Sequence, residues 1–184
     1  MGRAKATLPF GPELMLQRVV RLLGEVVPTI VVVAAPDQEL PELPSHVLIA
    51  RDEREGRGPL EGLAAGLSAL PPFVDAAFAT SCDVPLLEPA VVRHMLQSLG
   101  EFEAAVPVEG QFHHPLAAAY RVSVLSHIRE LLAADRLRPF FLFERVKTLR
   151  IPVVDLRALD PELRSLMNLN TPEDYEQALR VALV

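Results

Sequence analysis

From residue 13 to about 27 the apolar positions Leu14, Leu16, Val19, Val20, Leu22, Leu23 and Val26 recur at helical spacing. Arg18, Arg21 and Glu25 take much of the opposite side, and Pro28 ends the helix. Residues 29–34 switch to an unbroken β-branched apolar run, the pattern of a strand covered on both faces. A loop with prolines at 36, 41 and 44 follows, and residues 47–50 form a second short strand. After the charged, glycine-bearing stretch 51–58, Pro59 sits at a first helical position and opens a helix over 60–70. The small residues Gly62, Ala64, Ala65, Gly66 and Ala69 suit that helix to close approach on a sheet. Residues 76–81 are another small, apolar, non-alternating strand, ended by Asp83 and Pro85.

Beyond Pro85 the same alternation continues. Pro89 starts a helix that runs to about 99, and strands are predicted at 104–108 and 116–120. Helices over 122–134 and 139–146 precede a strand at 148–154. Thr171 as N-cap, Pro172 at the first helical position and Asp174 three residues after the cap start a last helix reaching about 183. Strands alternating with helices predict an α/β fold: a doubly wound, mostly parallel sheet with helices on both faces.

The chain has 184 residues, half of them hydrophobic, with no internal repeat. One domain over 1–184 is expected, burying roughly 70% of its unfolded-chain surface. A net charge of −6, with no Lys/Arg run, argues against a nucleic-acid surface. Cys82 is the single cysteine, so no intrachain disulfide forms, and its apolar strand suits a packed thiol. No apolar run approaches the ~20 residues of a membrane span, and no signal peptide opens the sequence. A cytoplasmic protein, monomeric or a weak homo-oligomer, is the expectation.

Three places put charge where a strand or turn ends. Lys5 lies in a glycine-containing turn before a helix, a setting in which backbone N–H groups and one ammonium hold phosphate oxygens. Asp52 follows the 47–50 strand, and Asp83 ends the 76–81 strand, where open α/β sheets hold their ligands. Taken singly, a near-terminal Lys, a loop Asp among other charges and a turn Asp before Pro are ordinary surface features. Together, two carboxylates and a Lys suit Mg²⁺ with a polyphosphate, since Mg²⁺ is held by one or two carboxylates plus phosphate oxygens.

Several segments carry a family resemblance: Met1-Gly2 through Lys5 with Leu8-Pro9-Phe10-Gly11, Gly58-Pro59-Leu60-Glu61-Gly62, and Cys82-Asp83-Val84-Pro85. His114-Pro115-Leu116-Ala117 with Tyr120-Arg121, and Asn168-Leu169-Asn170-Thr171-Pro172-Glu173-Asp174, complete the series. In this order and spacing the chain resembles the molybdenum cofactor guanylyltransferases (MobA-type), nucleotidyltransferases with a Rossmann-like fold, over essentially its whole length. The resemblance implies transfer of GMP from GTP to the terminal phosphate of molybdopterin, with loss of pyrophosphate. It implies that Gly2 and Lys5 meet the nucleotide phosphates, that Asp52 contacts GTP, and that Asp83 holds Mg²⁺ and contacts the nucleotide. Asn168, Asn170 and His114 match positions facing the pterin. Molybdoenzymes or cofactor-insertion proteins would receive the product.

Two departures qualify the match. Members of this family begin with a strand and Leu-Ala-Gly-Gly-x-Ser-x-Arg ahead of the Met-Gly at which this sequence opens. In a doubly wound sheet that strand is central, so its absence would leave the 29–34 and 76–81 strands without their shared neighbour. Each buried backbone group that lost its partner would cost about 1–3 kcal/mol. Met1 is therefore expected to be an internal methionine, a genuine truncation or a degenerate copy being the alternatives. Where relatives can carry Asn at the end of the second strand, this chain has Val33-Ala34-Ala35, which leaves the choice of base less secure than the reaction. Two other readings stay open: a non-catalytic homologue that binds molybdopterin or a partner protein, and a cytidylyl- or sugar-phosphate nucleotidyltransferase.

Overall fold

The computed structural model describes residues 4–52 and 56–182. A short 3-10 helix, Lys5–Thr7, leads into a ribbon of two-residue strands, β1 (Pro9–Phe10) and β2 (Glu13–Leu14), paired antiparallel. Because β2 claims Glu13 and Leu14, helix α1 begins at Met15 and ends at Gly24. The Gln17 side chain accepts the Leu14 N–H at 2.9 Å, capping the helix start. Strands β3 (Val31–Ala34) and β4 (Leu48–Arg51) pair in parallel, and helix α2 (Pro59–Ser68) packs on them. A methyl group on Gly66 would lie 3.2 Å from Val33 Cγ2, so the glycine sets how closely α2 approaches β3.

A second sheet holds β5 (Ala76–Thr80), β6 (Ala104–Glu109), β7 (Phe112–His113), β8 (Ala117–Arg121) and β9 (Thr148–Pro152). Its order is β5-β8-β6, with β7 and β9 also paired to β6. Helix α3 (Pro89–Ser98) covers one face with Val91, Met95 and Leu99 against Ala105 and Ala119. Helices α2, α4 (Leu125–Ala133) and α5 (Phe140–Phe143) cover the other, where Ala104, Val106, Ala118 and Tyr120 are buried. Period-two alternation in β6 and β8 thus feeds two apolar layers, and α6 (Pro172–Ala182) closes the chain. Among the described residues no helix is long and apolar enough to cross a membrane.

The α/β alternation and helices on both faces match the sequence pattern, but the sheet is mixed. Among the described residues only β3–β4 and β6–β9 run parallel, while β5–β8, β6–β8 and β6–β7 run antiparallel. The cause is local: β6 and β8 are separated by only a few residues that include Gly110, at φ 58°, and β7. A parallel crossover needs a dozen residues or more, so this short link turns the chain back on itself.

Strands β3 and β5 are not paired with each other or with a common neighbour among the described residues. Both line one apolar cavity of about 760 Å³.

Candidate active site

Asp83 lies just past the carboxyl end of β5, in the turn forced by Pro85, and is 7% exposed. Its Oδ2 accepts a hydrogen bond from Lys5 Nζ at 2.7 Å, and its Oδ1 accepts one from Asn168 Nδ2 at 2.7 Å. The same ammonium donates to Asn170 Oδ1 at 2.8 Å. Four side chains from three distant parts of the sequence therefore form one connected cluster. The backbone fixes it: Leu169 N–H donates to the Asp83 carbonyl at 2.9 Å, and Arg18 Nε donates to the Pro85 carbonyl at 2.7 Å. The segment carrying both asparagines is pinned in turn by the start of α6, where Asp174 N–H donates to Thr171 Oγ1 and Thr171 N–H to Asp174 Oδ2. This is the reciprocal cap that the sequence suggests, with Asp in the place of Glu.

The electrostatics of the cluster have a clear sign. Burial pushes the Asp83 carboxyl upward, but hydrogen bonds from Lys5, Ser81 and Asn168, with the Lys5 charge, outweigh it, and the group sits below its ordinary value. Asp83 is thus an anion across the physiological range. The adjacent Cys82 thiol is pushed up, by burial first and then by the Asp83 charge, which keeps it protonated and unreactive.

Asp52 occupies a different environment. Its N–H donates to the Ala34 carbonyl at 3.0 Å, which anchors it at the end of the β3–β4 pair. Its Oδ1 is buried with no hydrogen-bond partner among the described residues. Burial, reinforced by the nearby Glu61 carboxylate, raises its pKa. Glu61 is buried in the first turn of α2 with Arg57 Nε 3.8 Å away. Gly58 caps that helix at φ 77°, ψ −168°, a conformation open in practice only to glycine. Asp52, Gly58, Ser81 and Cys82 all line the cavity between β3 and β5.

Of the residues singled out from sequence, Lys5, Asp83, Asn168 and Asn170 come together. Asp52 borders the cavity but makes no described contact with that cluster. His114 belongs to the β6–β7 region: its N–H donates to the Pro107 carbonyl at 3.0 Å, and its ring meets Phe112 edge-on at 4.8 Å. Its Nε2 is buried without a partner among the described residues, and burial lowers its pKa, so the imidazole is neutral. Gly2 lies outside the described residues. Sequence reasoning passed over Glu61; a glutamate in a first helical turn looks like an ordinary dipole-favoured charge, and only its apolar neighbours hint at burial.

Among the described residues no group of three or more His, Cys, Asp or Glu side chains could by itself hold a metal ion. The donors present nonetheless fit a cation of the Mg²⁺ type. Of the roughly four lone-pair sites on the Asp83 carboxylate, Lys5, Ser81 and Asn168 engage three, which leaves one for a cation, and Mg²⁺ takes one or two carboxylates with phosphate and water oxygens. Asp52 Oδ1, which has no partner among the described residues, is a further acceptor.

A sequence profile for the MobA-like NTP transferase domain matches residues 1–148. A probable molybdenum cofactor guanylyltransferase of Pelotomaculum thermopropionicum is 31% identical over 182 residues, covering 97% of this chain and 85% of that protein. The crystal structure of molybdopterin-guanine dinucleotide biosynthesis protein A from Archaeoglobus fulgidus superposes with a TM-score of 0.79 at 22% identity, over 99% of this chain and 92% of that one. That of 2-C-methyl-D-erythritol 4-phosphate cytidylyltransferase from Thermus thermophilus gives 0.74 at 15% identity, over 98% and 94%.

Proposed function

The chain belongs to the MobA-like NTP transferase family and is a nucleotidyltransferase of molybdenum cofactor biosynthesis; on that premise we propose that it transfers GMP from GTP to the terminal phosphate of molybdopterin. A phosphate oxygen of the pterin attacks the α-phosphorus of GTP, the bond to the β-phosphate oxygen breaks, and pyrophosphate leaves. The nucleophile is already an anion, so no general base is required. The protein's task is to position the reactants and neutralise charge.

The observation that carries this reading is the Lys5–Asp83–Asn168–Asn170 cluster at the carboxyl end of β5. An ammonium has three donors, and two of those on Lys5 are engaged, which leaves one for a phosphate oxygen of the nucleotide or of departing pyrophosphate. Asn170 accepts through Oδ1, so its amide N–H groups remain for the pterin substrate or its phosphate. Asn168 holds the Asp83 carboxylate in place, and its own Oδ1 is assigned to the pterin. Asp52, whose Oδ1 has no partner among the described residues, is assigned to the base or ribose of GTP. Asp83 is the residue that would hold Mg²⁺, which when bound supplies Lewis-acid neutralisation of phosphate oxygens. His114 is assigned to the far edge of the pterin site, in keeping with its neutral ring and an Nε2 without a partner among the described residues.

Pyrophosphate release with molybdopterin, Mg²⁺ and GTP, CTP or ATP in parallel tests the assignment. GTP should be preferred, and Asp83→Asn should lower turnover by about 10²–10³-fold with an unchanged circular dichroism spectrum. A clear CTP preference would replace the guanylyl reading with a cytidylyl one, and undiminished turnover in Asp83→Asn would remove the proposed role of that carboxylate.

A further inference from the structure

Among the buried polar side chains of the described residues, Asp160 at 2% and Ser165 at 1% exposure are the deepest, and neither has a part in the chemistry described above. They close a hook on each other: Asp160 Oδ2 accepts the Ser165 N–H at 2.7 Å, and the Asp160 carbonyl accepts the Leu163 N–H at 2.9 Å. Inside the hook Leu163 has φ 53° and ψ 37°, the left-handed region, in which a leucine is rarely found. Such a conformation persists only where surrounding contacts hold it. Here the holding contacts are the two Asp160 bonds, together with the packing of Leu163 and Leu166 on the layer that contains Val91, Met95 and Leu156.

The hook is coupled to the site. Ser165 Oγ accepts the N–H of Glu88, the residue that precedes α3, at 2.9 Å. Further along, Asn168 Nδ2 donates to Asp83 Oδ1 and the Leu169 N–H to the Asp83 carbonyl. The segment 165–169 therefore runs antiparallel along residues 88–83 and is tied at both ends, Ser165 to Glu88 at one and Asn168 with Leu169 to Asp83 at the other. Ser165 uses its N–H and its Oγ at once, so whatever fixes its backbone also fixes the tie to Glu88. The Asp160 side chain does that.

We propose that Asp160 is a positioning residue for the reaction: by fixing Ser165 it holds the 165–169 segment in the register that sets Asn168 on Asp83 and Asn170 on Lys5. Its part in turnover rests on the nucleotidyl-transfer reading above; its part in placing the segment does not.

The test compares Asp160→Ala, Asp160→Asn and Ser165→Ala with the parent chain and with Asn168→Ala. Without substrate, hydrogen exchange is followed at the Leu169 amide, with the amides of Ala104–Glu109 as reference. Exchange at Leu169 should quicken about 10-fold in Asp160→Ala and Ser165→Ala while the reference amides hold their rates. Asp160→Asn should stay close to the parent, because its amide oxygen can still accept the Ser165 N–H. With GTP, Mg²⁺ and molybdopterin, kcat/KM for molybdopterin should fall on the order of 10-fold in Asp160→Ala and recover in Asp160→Asn. The double variant Asp160→Ala/Asn168→Ala should be no slower than Asn168→Ala alone, as expected of a residue that acts through another. Should Asp160→Ala not fold, Ser165→Ala, which keeps Asp160 and removes only the tie to Glu88, carries the same readings.

Unchanged exchange at Leu169 would overturn the proposal, and so would an equal quickening of the reference amides, which marks a merely structural role. Additive losses in the double variant also overturn it. Absence of pyrophosphate release from the parent chain would overturn the nucleotidyl-transfer reading and with it the part in turnover, while the Leu169 exchange decides the placement either way.

Discussion

Burying a carboxylate is ordinarily unfavourable, and Asp83 and Asp52 meet that cost in opposite ways. At Asp83 the Lys5 ammonium and the Asn168 amide depress the folded-state pKa below the ordinary 3.8, so the ionised group stabilises the fold above that value and the contribution fades as pH falls through the folded pKa. Asp83→Asn should therefore lose stability at pH 7, with the gap to the parent chain narrowing below about pH 4; thermal unfolding across pH 3–7 measures it. A gap of constant size would show that the carboxylate charge is not what the cluster stabilises. At Asp52 burial and Glu61 raise the pKa, which reverses the sign: the protonated form is favoured by folding, and ionisation at neutral pH is a cost. Asp52→Asn should raise the Tm at pH 7, the gain vanishing as pH drops below 3.8, while GTP affinity falls. A variant that gains stability and retains full GTP affinity would remove Asp52 from the nucleotide site.

Elements with strong local signals were legible in the sequence. Pro59, Pro89 and Pro172 each stand at the start of α2, α3 and α6, because a fixed φ and a missing N–H suit the first helical turn. The two-residue strands β1, β2 and β7 were not legible, since two residues carry no period, and the pairing of β1 with β2 moved the start of α1 to Met15. The antiparallel entry of β8 likewise depends on a short link that alternation alone does not weigh. At the site, Asp83 was visible as an acid ending an apolar run and Lys5 as an ammonium in a glycine-containing turn, but their pairing across 78 positions carries no local signal. Gly58 belongs to this scale as well. Its φ of 77° places α2, and hence Glu61 and the Asp52 neighbourhood, and a Cβ there would meet open space but a disfavoured backbone. Gly58→Ala should cost on the order of 1–3 kcal/mol in urea unfolding, from strain rather than collision. A loss below a few tenths would mean that the loop relaxes without moving the helix.

At the scale of the molecule, the two sheets share no backbone ladder among the described residues, so their cooperation rests on side-chain packing. Helix α2 is the main bridge: Gly66 abuts Val33 of β3, while Leu60 and Leu67 are buried with Tyr120, Ile128 and Phe143 beside the larger sheet. The smaller unit, β3 and β4 with α1, has its own modest core of Leu16, Val20, Ile30, Val32 and Val47. A unit with few buried residues and an unpaired strand edge opens at lower free energy than a fully laddered sheet. Unfolding in urea should accordingly be non-coincident, with amides of Val31–Ala34 and Leu48–Arg51 losing protection at lower urea than those of Ala104–Glu109 and Ala117–Arg121. Residue-resolved hydrogen exchange against urea measures the separation. Superimposed transitions would show that α2 packing alone couples the sheets.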